Sequence, residues 1–140
     1  MWVSFYWRDT VMTFKFSQRS LDRLSTCHED LERVAFLALK YSPYDFGVTE
    51  GVRTIEKQRE YFESGKSKTM NSRHLENKNG VSEALDIAVY VNGKITWDIK
   101  HYRKVAQAFF RAAIELNVQI RWGGLWESFI DGPHFELGNN

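Results

Sequence analysis

A chain of 140 residues, 43% hydrophobic and 15% aromatic, has the size and content of one domain with its own core. Its 19 basic and 18 acidic side chains are interspersed and leave a formal net charge of +1, so the basic face expected of a nucleic-acid binder is missing. Cys27 is the single cysteine, which excludes an intrachain disulfide and a cysteine-built zinc finger, and no run of 18 apolar residues offers a membrane span.

Residues 1–11 fit poorly with the remainder of the chain and meet charge at Arg8 and Asp9 too early for a secretory signal. They are expected to be an N-terminal extension, with a single catalytic domain over residues 12–140. Leu24, Leu31, Val34, Ala35 and Ala38 recur at three- and four-residue steps and predict a helical stretch over residues 17–41. Thr26 followed by Glu29 reads as a capping box that would break it into two helices near Ser25. Cys27 is expected in the core, and His28 and His101 are expected to be structural residues on helices. Pro43 ends the helical stretch. A short strand comes next over 46–52, then a helix over 54–64 closed by Gly65.

Residues 66–82 are polar and irregular, and a loop of that length is uncommon unless it is functional or mobile. The apolar run 84–91 predicts a strand, and Asn92-Gly93 a hairpin turn into 94–97. Asp98 is placed to cap a helix running to Leu116. Strands over 118–122 and 134–137 complete the chain, separated by a Gly123-Gly124 bend. Helices followed by strands mixed with helices and a hairpin predict an α+β fold, a small antiparallel sheet packed with helices.

Three residues have the chemistry of a catalytic metal site, which needs three His or carboxylate ligands and leaves one position open. His74 lies in the polar loop, Asp86 inside an apolar strand 12 positions later, and His134 at the start of the last strand. If Leu85 and Ile87 point inward, Asp86 faces outward as an ordinary solvated residue. If both faces of the strand are covered, its charge requires a partner, and a metal would supply one. Taken singly, His74 and His134 each read better as a surface or satisfied core histidine than as a ligand.

Together these segments form a pattern. Ser72-Arg73-His74, Ala84-Leu85-Asp86 and Asp131-Gly132-Pro133-His134 resemble the signatures of the VanY-like metallopeptidases, which read SxHxxGxAxD followed much later by an acidic residue three before a second His. The likeness to the phage endolysin branch, the L-alanyl-D-glutamate peptidases, extends from Met12 to Leu137. Two features depart from the pattern. The interval from His74 to Asp86 carries an insertion around residues 75–81, and Ser82 stands where the pattern has glycine, with Gly80 two residues earlier.

The resemblance implies a hedgehog/D-Ala-D-Ala-peptidase-like fold and a Zn2+ ion held by His74, Asp86 and His134. It implies Asp131 as the catalytic carboxylate, and Arg53 and Ser72 at the substrate, with the Arg53 fork on a carbonyl or a D-Glu carboxylate; the alternative for Arg53 is a surface residue paired with Glu50 or Glu56. Glu136 is expected to be exposed; Trp122 and Trp126 are either core or a wall for the substrate. The implied activity is hydrolysis of the L-alanyl-D-glutamate bond of peptidoglycan stem peptides by a monomer. Such an enzyme would wait in the host cytoplasm for holin-mediated release to the wall. The competing expectations are a D-alanyl-D-alanine carboxypeptidase or dipeptidase, and a non-catalytic, zinc-stabilised wall-binding module.

Overall fold

A computed structural model describes residues 13–138, so the expected extension over residues 1–11 lies outside the described residues. Among the described residues, four α-helices and five strands occur in the order α1 (Gln18–Leu24), α2 (Glu29–Tyr41), β1 (Asp45–Glu50), α3 (Ile55–Glu63), β2 (Ala84–Val91), β3 (Lys94–Thr96), α4 (Ile99–Leu116), β4 (Ile120–Trp122) and β5 (His134–Leu137). The fold is α+β with one antiparallel sheet, as the element pattern predicts. No described helix is long and apolar enough to cross a membrane.

The helical stretch breaks where expected, but by a different device. His28, not Thr26, caps α2, its Nδ1 accepting from the Asp30 amide at 3.0 Å. The Thr26 hydroxyl is used elsewhere, donating to the Arg23 carbonyl and accepting from the Val52 amide. Cys27 is buried as expected, and burial pushes its thiol up to about 12. Asp98 caps α4 through the Lys100 amide, and Asn92-Gly93, both at positive φ, make the hairpin turn.

The long strand β2 organises the sheet. β1 runs along one edge, while β5 and β3 share the other edge at opposite ends, and β4 lies outside β5. Alternation sends Leu85, Ile87 and Val89 into the core beneath α2 and α4, and Phe135 and Leu137 of β5 join them. The Phe109 ring of α4 stacks on Phe135 with centroids 3.9 Å apart. The other face of the same two strands carries Asp86, His134 and Glu136. Because Asp86 and His134 are paired residues across the β2–β5 ladder, core packing on one face sets their alignment on the other.

Replacing Phe109, which is fully buried, with alanine removes the contact that seats α4 on β5. Urea denaturation is expected to show a loss of about 3–5 kcal/mol.

Candidate metal centre and active-site cleft

His74, Asp86 and His134 converge at the floor of a cleft of about 960 Å³. One ligand atom from each lies within 4.8 Å of the others. His74 Nε2 is 3.3 Å and His134 Nδ1 3.2 Å from the same Asp86 oxygen, Oδ1. Leu85 and Ile87 do point inward, yet Asp86 is not an ordinary solvated residue, because its outward face lies against two buried imidazoles.

Each imidazole is held from behind. The His74 Nδ1–H donates to the Gly51 carbonyl at 2.8 Å, and the His74 carbonyl accepts from the Arg53 amide at 2.8 Å. The segment after β1 thus grips both the ring and the backbone of His74. Ser72 Oγ accepts from the His74 amide at 3.1 Å, so Ser72 braces the turn that presents the ring. The His134 Nε2–H donates to Glu136 Oε1 at 2.8 Å. Glu136 is therefore not exposed as expected; it is 7% exposed and bound to a site histidine. The strand period could have located it, since positions 134 and 136 share a face.

These anchors decide the electronics. With a proton fixed on the rear nitrogen of each neutral ring, the forward nitrogens present lone pairs to a carboxylate oxygen. Three acceptors facing one another without a donor between them call for a cation, and two imidazoles with one carboxylate suit a divalent metal with a position left open. Without metal, protons must serve instead. Burial opposes charge on His134, but its hydrogen bonds to Asp86 and Glu136 outweigh that and raise its pKa to about 9. Burial likewise disfavours the Asp86 carboxylate, but hydrogen bonds from His134 and His74 hold its pKa well below the usual range.

Asp131 lines the same cleft in a different state. Burial first, and then the charge of Asp86, raise its pKa. Its carboxyl has no hydrogen bond or ion pair among the described residues. Its backbone is drawn toward the site by Gly123, whose carbonyl accepts from the Asp131 amide at 3.0 Å. A Cβ on Gly123 would collide with the Asp131 carbonyl, so only glycine permits this approach. Trp122 is core and ties the same loop through Nε1 to the Gly132 carbonyl at 2.6 Å. Trp126 instead forms a wall of the cleft, its ring 5.1 Å from that of His134.

Arg53 is buried beside the centre, Nη2 lying 3.9 Å from Asp86 Oδ2. Its fork grips Glu50 through two bonds, Nε to Oε2 at 3.0 Å and Nη2 to Oε1 at 2.5 Å, while Nη1 donates to Gln58 at 2.7 Å. The insertion over 75–81 is tied to its surroundings, Leu75 bridging Arg53. The Glu83 amide bonds the Arg73 carbonyl at 3.0 Å and closes the loop at its base, while Asn77 organises its tip. Ser82 takes no positive φ and bonds Ala84 with its hydroxyl; the left-handed position is Gly80, at φ +80°.

This geometry sets two expected outcomes. Glu136→Gln, which keeps the shape but weakens the hold on His134, is expected to lower metal affinity about 10- to 100-fold in a chelator competition assay. His134 has a folded pKa raised above its unfolded value of 6.5, so its contribution to metal-free stability is complete below that pH and is lost as pH rises through about 9. Thermal unfolding of chelator-treated protein is expected to show the melting temperature falling across that window, and metal loading is expected to abolish the slope.

Comparison with known proteins agrees with this geometry. The family model for phage L-alanyl-D-glutamate peptidase matches residues 12–138. The chain is 34% identical over 141 residues to the L-alanyl-D-glutamate peptidase of Escherichia phage T5, covering 90% of this chain and 99% of the relative. It is 30% identical over 129 residues to the peptidase of that name from Listeria phage A118, covering 90% of this chain and 43% of the relative. The crystal structure of the Serratia marcescens L-Ala D-Glu endopeptidase ChiX superposes with a TM-score of 0.81 at 39% identity, over 93% of this chain and 94% of that one. A cleft with this donor set, on this fold and with these relatives, places the chain in the phage L-alanyl-D-glutamate peptidase family.

Proposed function

We propose that the chain is a zinc peptidase that hydrolyses the amide bond between L-alanine and D-glutamate in peptidoglycan stem peptides, and that it acts as a phage endolysin. The observation that carries this is the convergence of three anchored acceptor atoms in an open cleft beside an uncommitted aspartate. His74, Asp86 and His134 would hold a zinc ion, which would supply Lewis acidity enough to make a water nucleophilic near neutral pH.

The chain's own residues do the remainder. Asp131, in its carboxylate form, removes the proton of the attacking water and then hands it to the departing amine nitrogen. Glu136 and the Gly51 carbonyl keep the imidazoles in register during the reaction. Arg53 holds positive charge beside Asp86, and Trp126 gives the bound peptide an apolar wall that limits water.

The ligands and the carboxylate all come from one chain, which is consistent with a monomer. As an endolysin it would remain in the host cytoplasm until a holin gives it access to the wall. Purified peptidoglycan incubated with the zinc-loaded enzyme is expected to release new D-glutamyl amino termini. New termini only after removal of D-alanine would refute this specificity. Asp131→Asn, with zinc content intact, is expected to lower kcat about 10²- to 10⁴-fold.

A further inference from the structure

The cleft is rich in carboxylates: Glu50, Asp86, Asp131 and Glu136 all line it. Glu50, Asp86 and Glu136 are engaged by Arg53 and the site histidines, so a negatively charged substrate group near the scissile bond needs a cation that is not already held. Of the cations lining the cleft, Arg53 is engaged by Glu50 and Gln58, and Arg73 bonds the Leu137 carbonyl at 2.8 Å and Glu83 at 3.3 Å. Lys66 and Lys68 form no ion pair among the described residues. Their ammonium groups lie over aromatic faces, Lys66 4.7 Å from the Tyr61 centroid and Lys68 5.6 Å from that of Phe129.

The segment that carries them is fixed to the site. Gln58, fully buried, donates through Nε2 to Ser67 Oγ at 2.9 Å and to the Thr69 carbonyl at 2.7 Å, the two residues that flank Lys68. The same side chain accepts from Arg53 Nη1, and that guanidinium borders Asp86. One amide thus ties the position of the lysine segment to the catalytic floor. The Tyr61 ring reinforces the link, with Arg53 and Lys66 each 4.7 Å from its centroid.

We propose that Lys66 and Lys68 form the subsite for the free α-carboxylate of the D-glutamyl residue, an assignment that rests on the L-Ala–D-Glu specificity proposed for this cleft. In the stem peptide this residue continues the chain through its side-chain carboxyl, so its α-carboxylate stands one carbon from the scissile nitrogen. Arg53 has its fork on Glu50 and serves as the anchor of the subsite, while the two lysines meet the substrate's charge. An enzyme built this way distinguishes walls in which that group is a carboxylate from walls in which it is an amide.

The test uses two muramoyl peptides that differ only in a carboxylate or a carboxamide at the D-glutamyl α-carbon. The zinc-loaded wild type is expected to prefer the acid by about tenfold in kcat/KM, through KM. The double variant Lys66→Gln, Lys68→Gln is expected to bring that ratio toward one by raising KM for the acid while kcat holds, and high salt is expected to erode the wild-type preference in the same way. Equal KM values for the two peptides in the wild type, or a preference that survives in the double variant, would overturn the assignment. Should the wild type open neither peptide at this bond, the enzymatic reading itself fails and the subsite falls with it.

Discussion

Two imidazole nitrogens crowd one carboxylate oxygen, and the rest of the structure is arranged to hold them there. Left alone, three acceptors at such distances would drift apart or fill with protons. Several restraints prevent this. The β2–β5 ladder aligns Asp86 with His134, Glu136 fixes the far side of one ring, and the Gly51 carbonyl fixes the far side of the other. The hydrophobic core under β2 and β5 matters to the chemistry for this reason: it sets the register that keeps the two ligand positions opposed.

The two aspartates in the cleft illustrate how surroundings divide labour between identical side chains. Asp86 sits against two imidazole nitrogens, and protons on them, or a cation in their place, hold it ionised. Asp131 is pushed toward protonation by burial and by the Asp86 charge, which fits proton exchange. Aspartate is a short side chain for such a task, and the close approach at Gly123 compensates by bringing the backbone inward.

Much of this is legible in the sequence, for identifiable reasons. Strong periodicity marks β2 and α4, the Asn92-Gly93 turn marks the hairpin, and the spaced motifs mark the three residues that meet at the cleft floor. Local side-chain competition is harder to see: the Thr26–Glu29 pair has the form of a cap, but Thr26 is drawn to the Val52 amide, a partner 26 residues away. Glu136 shares a face with His134 by strand period, but its burial depends on what meets that face, the His134 ring and the Arg121 side chain of β4, which come together only in three dimensions. The pairing of Arg53 with Glu50 is readable from their three-residue spacing, whereas its bond to Gln58 depends on α3 folding back beside the site, which residue types alone do not reveal.

The loop that carries the insertion has a further consequence. Arg73 and Glu83 join its stem, Leu75 bridges Arg53, and Asn77 closes the remainder on itself through the Asn79 and Val81 amides. Chain-closure entropy grows slowly, at about 0.6 kcal/mol for each doubling of length, so additional residues there burden the fold little. That makes the tip a splice point, where an epitope, a fluorophore-bearing peptide or a wall-anchoring module can be grafted while His74, Asp86 and His134 keep their alignment.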